Sequence, residues 1–346
     1  MSSNKLDRCL MSFSVNSQLP FPWQEKLWQH WSKQHQQGRM AHAYLLEGHK
    51  GLGKFHFAQC VASVLLCTSL TDGSACRACK SCQLLQAKSH PDLLVVTPEQ
   101  EGKPIRVDQV RQLLGFASKT AQQGGYRVII IYPADAMNIN ASNALLKCLE
   151  EPGDNTVILL ITDTSSGLLP TIKSRCQRLQ FTLPDPQSGI NWLMAQESSL
   201  TQESATFLLN LASQAPLLAC DYYQKDALAI RQQVLEGVKA ITKRQVSPVS
   251  LAKQWQSIEL SLVLTWLLDW LSDMIKISQL GCDRCCKNKD VTPMLTYIAN
   301  KAGIQALYQY YDWLLIQRQH LLNQGNLNLP LLIEGVLIRW RGLTQR

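Results

Sequence analysis

Four short apolar runs, set apart by amphipathic stretches, constrain this chain more than any other feature. Ala43–Glu47, Leu93–Thr97, Arg127–Ile131 and Thr156–Thr162 each read as a buried strand, and Arg178–Leu183 reads as a last one. Between them Phe57, Ala58, Val61, Ala62, Leu65 and Leu66 recur at helical spacing, as do Val107, Val110, Leu113, Leu114 and Ala117. Ala141–Glu150 is a further helix, stopped by Pro152-Gly153. Near-continuous apolar strands alternating with helices specify an α/β doubly wound domain with a parallel sheet. Past Pro184-Asp185-Pro186 the strand runs disappear, and Leu, Ala and Gln dominate, with Trp255, Trp266 and Trp270 among them. That remainder reads as all-helical. The expected borders are 1–184, 185–225 and 226–346. The second rests on Asp221–Lys225, which breaks the apolar pattern. Residues 1–20 read as a loosely ordered lead, followed by a turn at Pro20–Trp23 and a helix through His35.

Of 346 residues, 46% are hydrophobic and only 17% charged, against roughly 25% charged in an average domain. Such a chain has well-filled interiors and surface reserved for partners. The net charge of +8 permits nucleic-acid contact without establishing it. No apolar run reaches the roughly 18–20 residues of a membrane span; the longest, Leu260–Leu268, is broken by Ser261 and Thr265 and closed by Asp269. Lys5, Asp7 and Arg8 interrupt any signal-peptide core, so the expected location is the cytoplasm, with no membrane partner. In that compartment twelve cysteines are read for metal, not disulfides.

Gly48-His49-Lys50-Gly51-Leu52-Gly53-Lys54-Phe55 lies between the first strand and the first helix of the sheet domain. It matches seven of the eight positions of G-x-x-x-x-G-K-[ST], the loop whose backbone amides cradle phosphate and whose lysine reaches the β/γ oxygens. Gly48, Gly53 and Lys54 are therefore candidate phosphate-loop residues, a plain glycine turn being the alternative. The eighth position, which supplies a Mg²⁺-binding hydroxyl, is Phe55 and has no oxygen. The acidic strand end is lost as well. P-loop ATPases place Asp there, and some follow it with Glu, to hold Mg²⁺ and polarise water. Here Val128–Ile131 runs into Tyr132-Pro133, and Asp135 lies beyond. Two losses at metal-binding positions make ATP binding by this chain doubtful.

Cys67, Cys76, Cys79 and Cys82 place four thiolates within sixteen residues (67–82). Four soft ligands suit tetrahedral Zn²⁺, and a closed thiolate shell leaves no position open for catalysis. An iron–sulfur cluster would use the same ligands, and reduced free thiols are the plain alternative. Cys282, Cys285 and Cys286 offer only three ligands, two of them adjacent, and read as loop cysteines.

Asn143-Ala144-Leu145-Leu146-Lys147-Cys148-Leu149-Glu150-Glu151-Pro152 and Ser174-Arg175-Cys176 resemble the motifs of the bacterial clamp-loader AAA+ subunits. The lead Gly38–Tyr44, the four-cysteine insert and His90-Pro91-Asp92 fit the same family, over about residues 20–185, and Asn328–Ile333 resembles its collar region. Within the family the motor subunit keeps Lys-Ser/Thr and Asp-Glu; the delta-prime type does not, and neither does this chain. The family's second-domain sensor arginine would fall near Leu217 and is absent, while its strand-end polar sensor corresponds to Thr162.

The resemblance implies an AAA+ P-loop-type domain over 1–184 with a zinc-binding insert at 67–82, a small helical lid over 185–225 and an all-α collar over 226–346. It implies partners of the gamma/tau motor type and the delta type in a hetero-pentamer of DNA polymerase III, reaching the sliding clamp and primed DNA through the complex. Arg175 would act in trans at a neighbour's ATP; a turn arginine paired with a carboxylate is the alternative. Two other readings are an ATP-hydrolysing motor, opposed by Phe55, Tyr132 and Pro133, and a zinc-dependent nucleic-acid-binding module, for which Arg77, Lys80 and Lys88 are thin support.

Overall fold

Five strands pair in parallel: β1 (Ala43–Glu47), β2 (Leu93–Val96), β3 (Arg127–Ile131), β4 (Thr156–Thr162) and β5 (Gln177–Gln180), in the order β2-β3-β4-β1-β5. The structure, a computed structural model, describes residues 19–100, 102–123, 125–322 and 328–344. The lead expected over residues 1–20 lies outside them except for Leu19 and Pro20.

The strand order dictates where the helices go. From β1 the chain crosses to the far edge strand β2, then steps back through β3 and β4 to β5. With right-handed crossovers, the helix after β1 must lie on one face and the later ones on the other. Side chains alternate accordingly. Tyr44, Leu46, Val128, Ile130, Leu159 and Ile161 pack with Trp31 of α1 (Glu25–Gln36) and with Phe57, Val61 and Leu65 of α2 (Lys54–Leu66). The insert between α2 and β2 carries one short helix, α3 (Lys80–Gln86). Leu45, Ile129, Ile131, Ile158 and Leu160 pack with Val110 and Leu113 of α4 (Val107–Ala117), Leu145 of α5 (Ile139–Glu150) and Ile172 of α6 (Pro170–Lys173). Burying each such Leu or Ile contributes about 1.5–3 kcal/mol. This is a five-stranded parallel α/β domain with helices on both faces.

Local signals set the ends of α5. Asn138 caps its start by accepting from Ala141 N at 2.8 Å. At its far end Gly153 passes so close to α4 that a Cβ there would stand 2.3 Å from Ala117 O. Three further helices follow the sheet: α7 (Pro186–Gln196), capped by Asp185, α8 (Gln202–Leu211) and α9 (Pro216–Gln224).

The described chain divides into two compact units, with the border between Tyr222 and Tyr223. The second is helical: α10 (Ala227–Thr242), α11 (Pro248–Gln254), α12 (Leu260–Leu280), α13 (Thr292–Ala302), α14 (Ile304–Leu322) and α15 (Leu329–Gly342). Trp255, Trp266, Trp270 and Trp340 are buried in it. Arg231 is buried against Trp270, its guanidinium held by Asp290 at 2.6 Å and Asn288 at 3.2 Å. Buried Asp273 accepts from the amides of Lys287 and Asn288. These two polar hubs fix the loop that carries Cys282, Cys285 and Cys286. Among the described residues no helix is long and apolar enough to cross a membrane.

In the sheet domain Asp92 and Arg127, both buried, pair at 3.5 Å below β2 and β3. Asp92 also accepts from Gln122 N at 2.8 Å and Gln123 N at 2.9 Å, and Arg127 stacks over Phe116 and donates to its carbonyl. Removing one partner leaves the other as an uncompensated buried charge. Asp92→Ala should therefore lower the stability of this unit by ~3–5 kcal/mol in chemical denaturation, and adding Arg127→Met should recover part of the loss. An unchanged unfolding midpoint in Asp92→Ala would contradict this.

Candidate functional site

Parallel pairing of β1 with β4 sets Glu47 beside Thr162, so Gly48 and Asp163 leave the sheet at the same level. Their chains then diverge, one into α2 on one face and the other toward α6 on the opposite face. Such a crevice at the carboxyl ends of parallel strands is where open α/β sheets bind ligands. Gly48–Gly53 lines it and Lys54 starts α2.

Lys54 is turned inward. Its ammonium donates to Gly48 O at 2.6 Å and His49 O at 2.7 Å, and pairs with Asp163 Oδ1 at 2.7 Å. An ammonium has three N–H donors, so all are engaged within the chain. The side chain is 3% exposed. Burial pulls the Lys54 pKa below the ordinary lysine range, and the Asp163 carboxylate only partly offsets it.

Apolar groups occupy the rest of the crevice. The Phe55 and Tyr132 rings lie 5.4 Å apart, packing together the two positions that supply hydroxyl and carboxylate ligands to Mg²⁺ in a P-loop ATPase. With Gly51, Gly53, Lys54, Asp163 and Leu217 they bound a cavity of about 20 Å³, room for about one water. Leu217 thus lies where a sensor arginine was expected and presents no charge. Asp135 is tied off: the buried Thr162 hydroxyl donates to its Oδ1 at 2.7 Å.

The loop is also covered from outside. A Cβ on Gly48 would stand 2.5 Å from Phe181 O, and one on Gly53 would stand 2.6 Å from the Phe21 ring. Gln24 Nε2 donates to Leu52 O at 2.8 Å and Gly53 O at 3.0 Å, Trp23 Nε1 donates to Leu52 O at 3.0 Å, and Leu217 N donates to Gly51 O at 3.1 Å. Phe21 and Trp23 stack at 4.9 Å, with Trp192 of α7 edge-on to both at 5.6 and 5.2 Å.

Arg175 follows α6 and is exposed. Its Nη1 donates to Thr171 O at 3.0 Å and its Nη2 pairs with Glu150 Oε1 at 2.6 Å. The arginine side chain is 37% exposed and the glutamate 51%.

The Sγ atoms of Cys67, Cys76, Cys79 and Cys82 all lie within 4.8 Å of one another. Two pairs stand at 3.9 Å (Cys67–Cys79) and 4.0 Å (Cys76–Cys82). Tetrahedral zinc with Zn–S bonds of about 2.3 Å requires sulfurs about 3.8 Å apart, so the four fit the ion. Backbone amides surround them: Cys76 N donates to Cys67 Sγ, Cys79 N to Cys76 Sγ, and Cys82 N to Cys79 Sγ, the last also capping α3. Burial opposes ionisation of Cys79, but hydrogen bonds from Thr68 and Cys82 outweigh it and bring its pKa down to about 5. Next to Cys82, Ser81 is hydrogen-bonded to His90 at 3.1 Å, and His90 Nδ1 accepts from Asp92 N at 3.0 Å. The insert is thereby tied to the Asp92–Arg127 pair under the sheet. Among the described residues no other such group of ligands occurs; Cys286 is buried and Cys285 exposed.

Sequence reasoning missed Asp163, Gln24, Trp192 and the Glu150 partner of Arg175. Asp163 had one usable signal, a carboxylate directly after an apolar strand. The others are joined to the site only by long-range packing.

A family model described as "DNA polymerase III, delta subunit" matches residues 23–185, and one described as "DNA polymerase III, delta subunit, C terminal" matches residues 225–342. The DNA polymerase III subunit delta' of Pseudomonas aeruginosa is 42% identical over 323 residues, covering 93% of this chain and 98% of that protein. The subunit delta' of Yersinia pestis is 32% identical (92% and 95% covered), and that of Escherichia coli 29% (92% and 94%). The chain belongs to the family of DNA polymerase III delta-prime subunits.

Proposed function

We propose that this chain is the non-hydrolysing delta-prime member of a clamp loader, completing a ring with gamma/tau-type motors and a delta-type subunit. The ring loads the sliding clamp onto primed DNA. The AAA+-like domain, a small lid over 185–225 and a collar over 226–346 divide the work: the first presents Arg175 to a neighbour, and the last joins the ring. The observation that carries the reading is the closed crevice. Lys54 has no donor left for phosphate, Phe55 and Tyr132 offer no metal ligand, and the cavity of about 20 Å³ between them has room for about one water. The motor alternative is disfavoured by the same three facts.

Arg175 supplies what the crevice cannot. Its pair with Glu150 is solvent-exposed, and such pairs contribute ~0–1 kcal/mol, so release toward a neighbour's ATP costs little. A guanidinium placed against a developing phosphoryl charge accelerates transfer by about 10³–10⁵. Zinc, held by Cys67, Cys76, Cys79 and Cys82, would complete a closed structural site; when bound it supplies rigidity and no open position.

Two experiments test the reading. Elemental analysis should find about one zinc per chain, and Cys79→Ser should lose it while the sheet stays folded, because the insert lies between elements of the sheet domain. Metal content unchanged in Cys79→Ser would refute the site. The isolated chain should show no magnesium-dependent ATP turnover. In a reconstituted ring, Arg175→Ala should leave assembly intact yet lower ATP turnover and clamp loading at least about tenfold, with Arg175→Lys a poor rescue. Unchanged rates in a fully assembled Arg175→Ala ring, or turnover by the isolated chain that Lys54→Ala abolishes, would overturn it.

A further inference from the structure

The ammonium of Lys54 is buried, and a buried cation without an anion is costly. In a phosphate-binding loop the anion is the ligand's phosphate. Here an anion is already present. Asp163 Oδ1 stands 2.7 Å from Lys54 Nζ, on the residue that the β1–β4 register delivers to the level of Gly48. The remaining two donors close onto the carbonyls of Gly48 and His49. An aligned, fully saturated cation of this kind leaves the loop nothing to gain from a phosphate.

We propose that Asp163 is a built-in anion that takes the place of a phosphate group for Lys54, holding the loop closed without ligand and suppressing a latent polyphosphate site. This rests on the non-hydrolysing role proposed above and adds the residue that enforces it. The suppressed ligand class is pyrophosphate or the phosphate tail of a nucleotide. The glycine loop, Lys54 and the α2 N-terminus remain; beside the apolar pair Phe55 and Tyr132, the counter-charge to Lys54 is now the chain's own. Asp163 has the access such a part requires: its side chain is 31% exposed, so it forms the solvent side of the pair, and an incoming anion would meet Asp163 before Lys54. Asp135 reinforces it electrostatically but is committed to the Thr162 hydroxyl.

The test is thermal unfolding of the full chain with and without inorganic pyrophosphate. The melting temperature of the native sequence should not move with millimolar pyrophosphate. Asp163→Asn should melt lower without ligand and rise by about 5 °C at saturating pyrophosphate. Lys54→Met/Asp163→Asn should melt above Asp163→Asn and ignore the ligand. A native chain that responds as strongly as Asp163→Asn, or a folded Asp163→Asn that does not respond, would overturn the proposal. Should Asp163→Asn fail to fold, the double variant decides: recovery of the fold supports the built-in anion, and no recovery refutes it. A native chain stabilised by pyrophosphate yet without ATP turnover would sink this inference alone, whereas turnover would sink the role it rests on.

Discussion

The pairing of β1 with β4 governs the site. It is a continuous parallel ladder from Ala43↔Ile158 to Glu47↔Thr162, buried on both faces. A slip by one residue would exchange the faces of every side chain, so the packing of Leu46 with α2 and Leu45 with the opposite helices fixes the register. That register brings Gly48 and Asp163 out of the sheet together. The Lys54–Asp163 pair, the loop carbonyls that share the ammonium, and the path from β4 through α6 to Arg175 all follow from it.

The crevice is filled from within and from outside. An active phosphate loop holds an unneutralised cation and an open cleft, both of which lower stability. Here the cation is neutralised from within, Phe55 packs on Tyr132, and Phe21, Gln24 and Trp192 close the outer side. Arg175 is the exception. It keeps an exposed guanidinium, held by one exposed glutamate and one carbonyl, while its neighbour Ile172 is buried. Rigidity in the crevice and availability at Arg175 are what a subunit needs if it lends a charge and binds no fuel itself.

Much of this was legible in the sequence, for identifiable reasons. Thr156–Thr162 and Ala43–Glu47 are recovered residue for residue because a strand buried on both faces is apolar throughout. Cys67, Cys76, Cys79 and Cys82 converge because their ligand spacing is local. Leu93–Thr97 loses its last residue, and Arg178–Leu183 shortens to Gln177–Gln180, since strand ends are set by ladder partners and not by composition. Asp163 meeting Lys54, Glu150 meeting Arg175, and Trp192 meeting Phe21 could not be read. They join residues 25 to 171 positions apart, and no local period encodes such a contact.

The second unit is organised by buried polar hubs as much as by its tryptophans. Arg231 with Asp290 and Asn288, and Asp273 with the amides of Lys287 and Asn288, lock the loop between α12 and α13. Such hubs favour one arrangement of helices over others of similar hydrophobic content. The central claim is that this chain takes a place in the ring while holding no nucleotide. Intact-complex mass measurement of the assembly reconstituted with motor and delta-type subunits, in the presence of a non-hydrolysable ATP analogue, tests both halves at once. The account predicts a hetero-pentamer containing this chain, with analogue retained by the motor subunits and none by this chain in the dissociated-subunit spectrum. A complex that forms without this chain, or analogue retained on this chain, would contradict it.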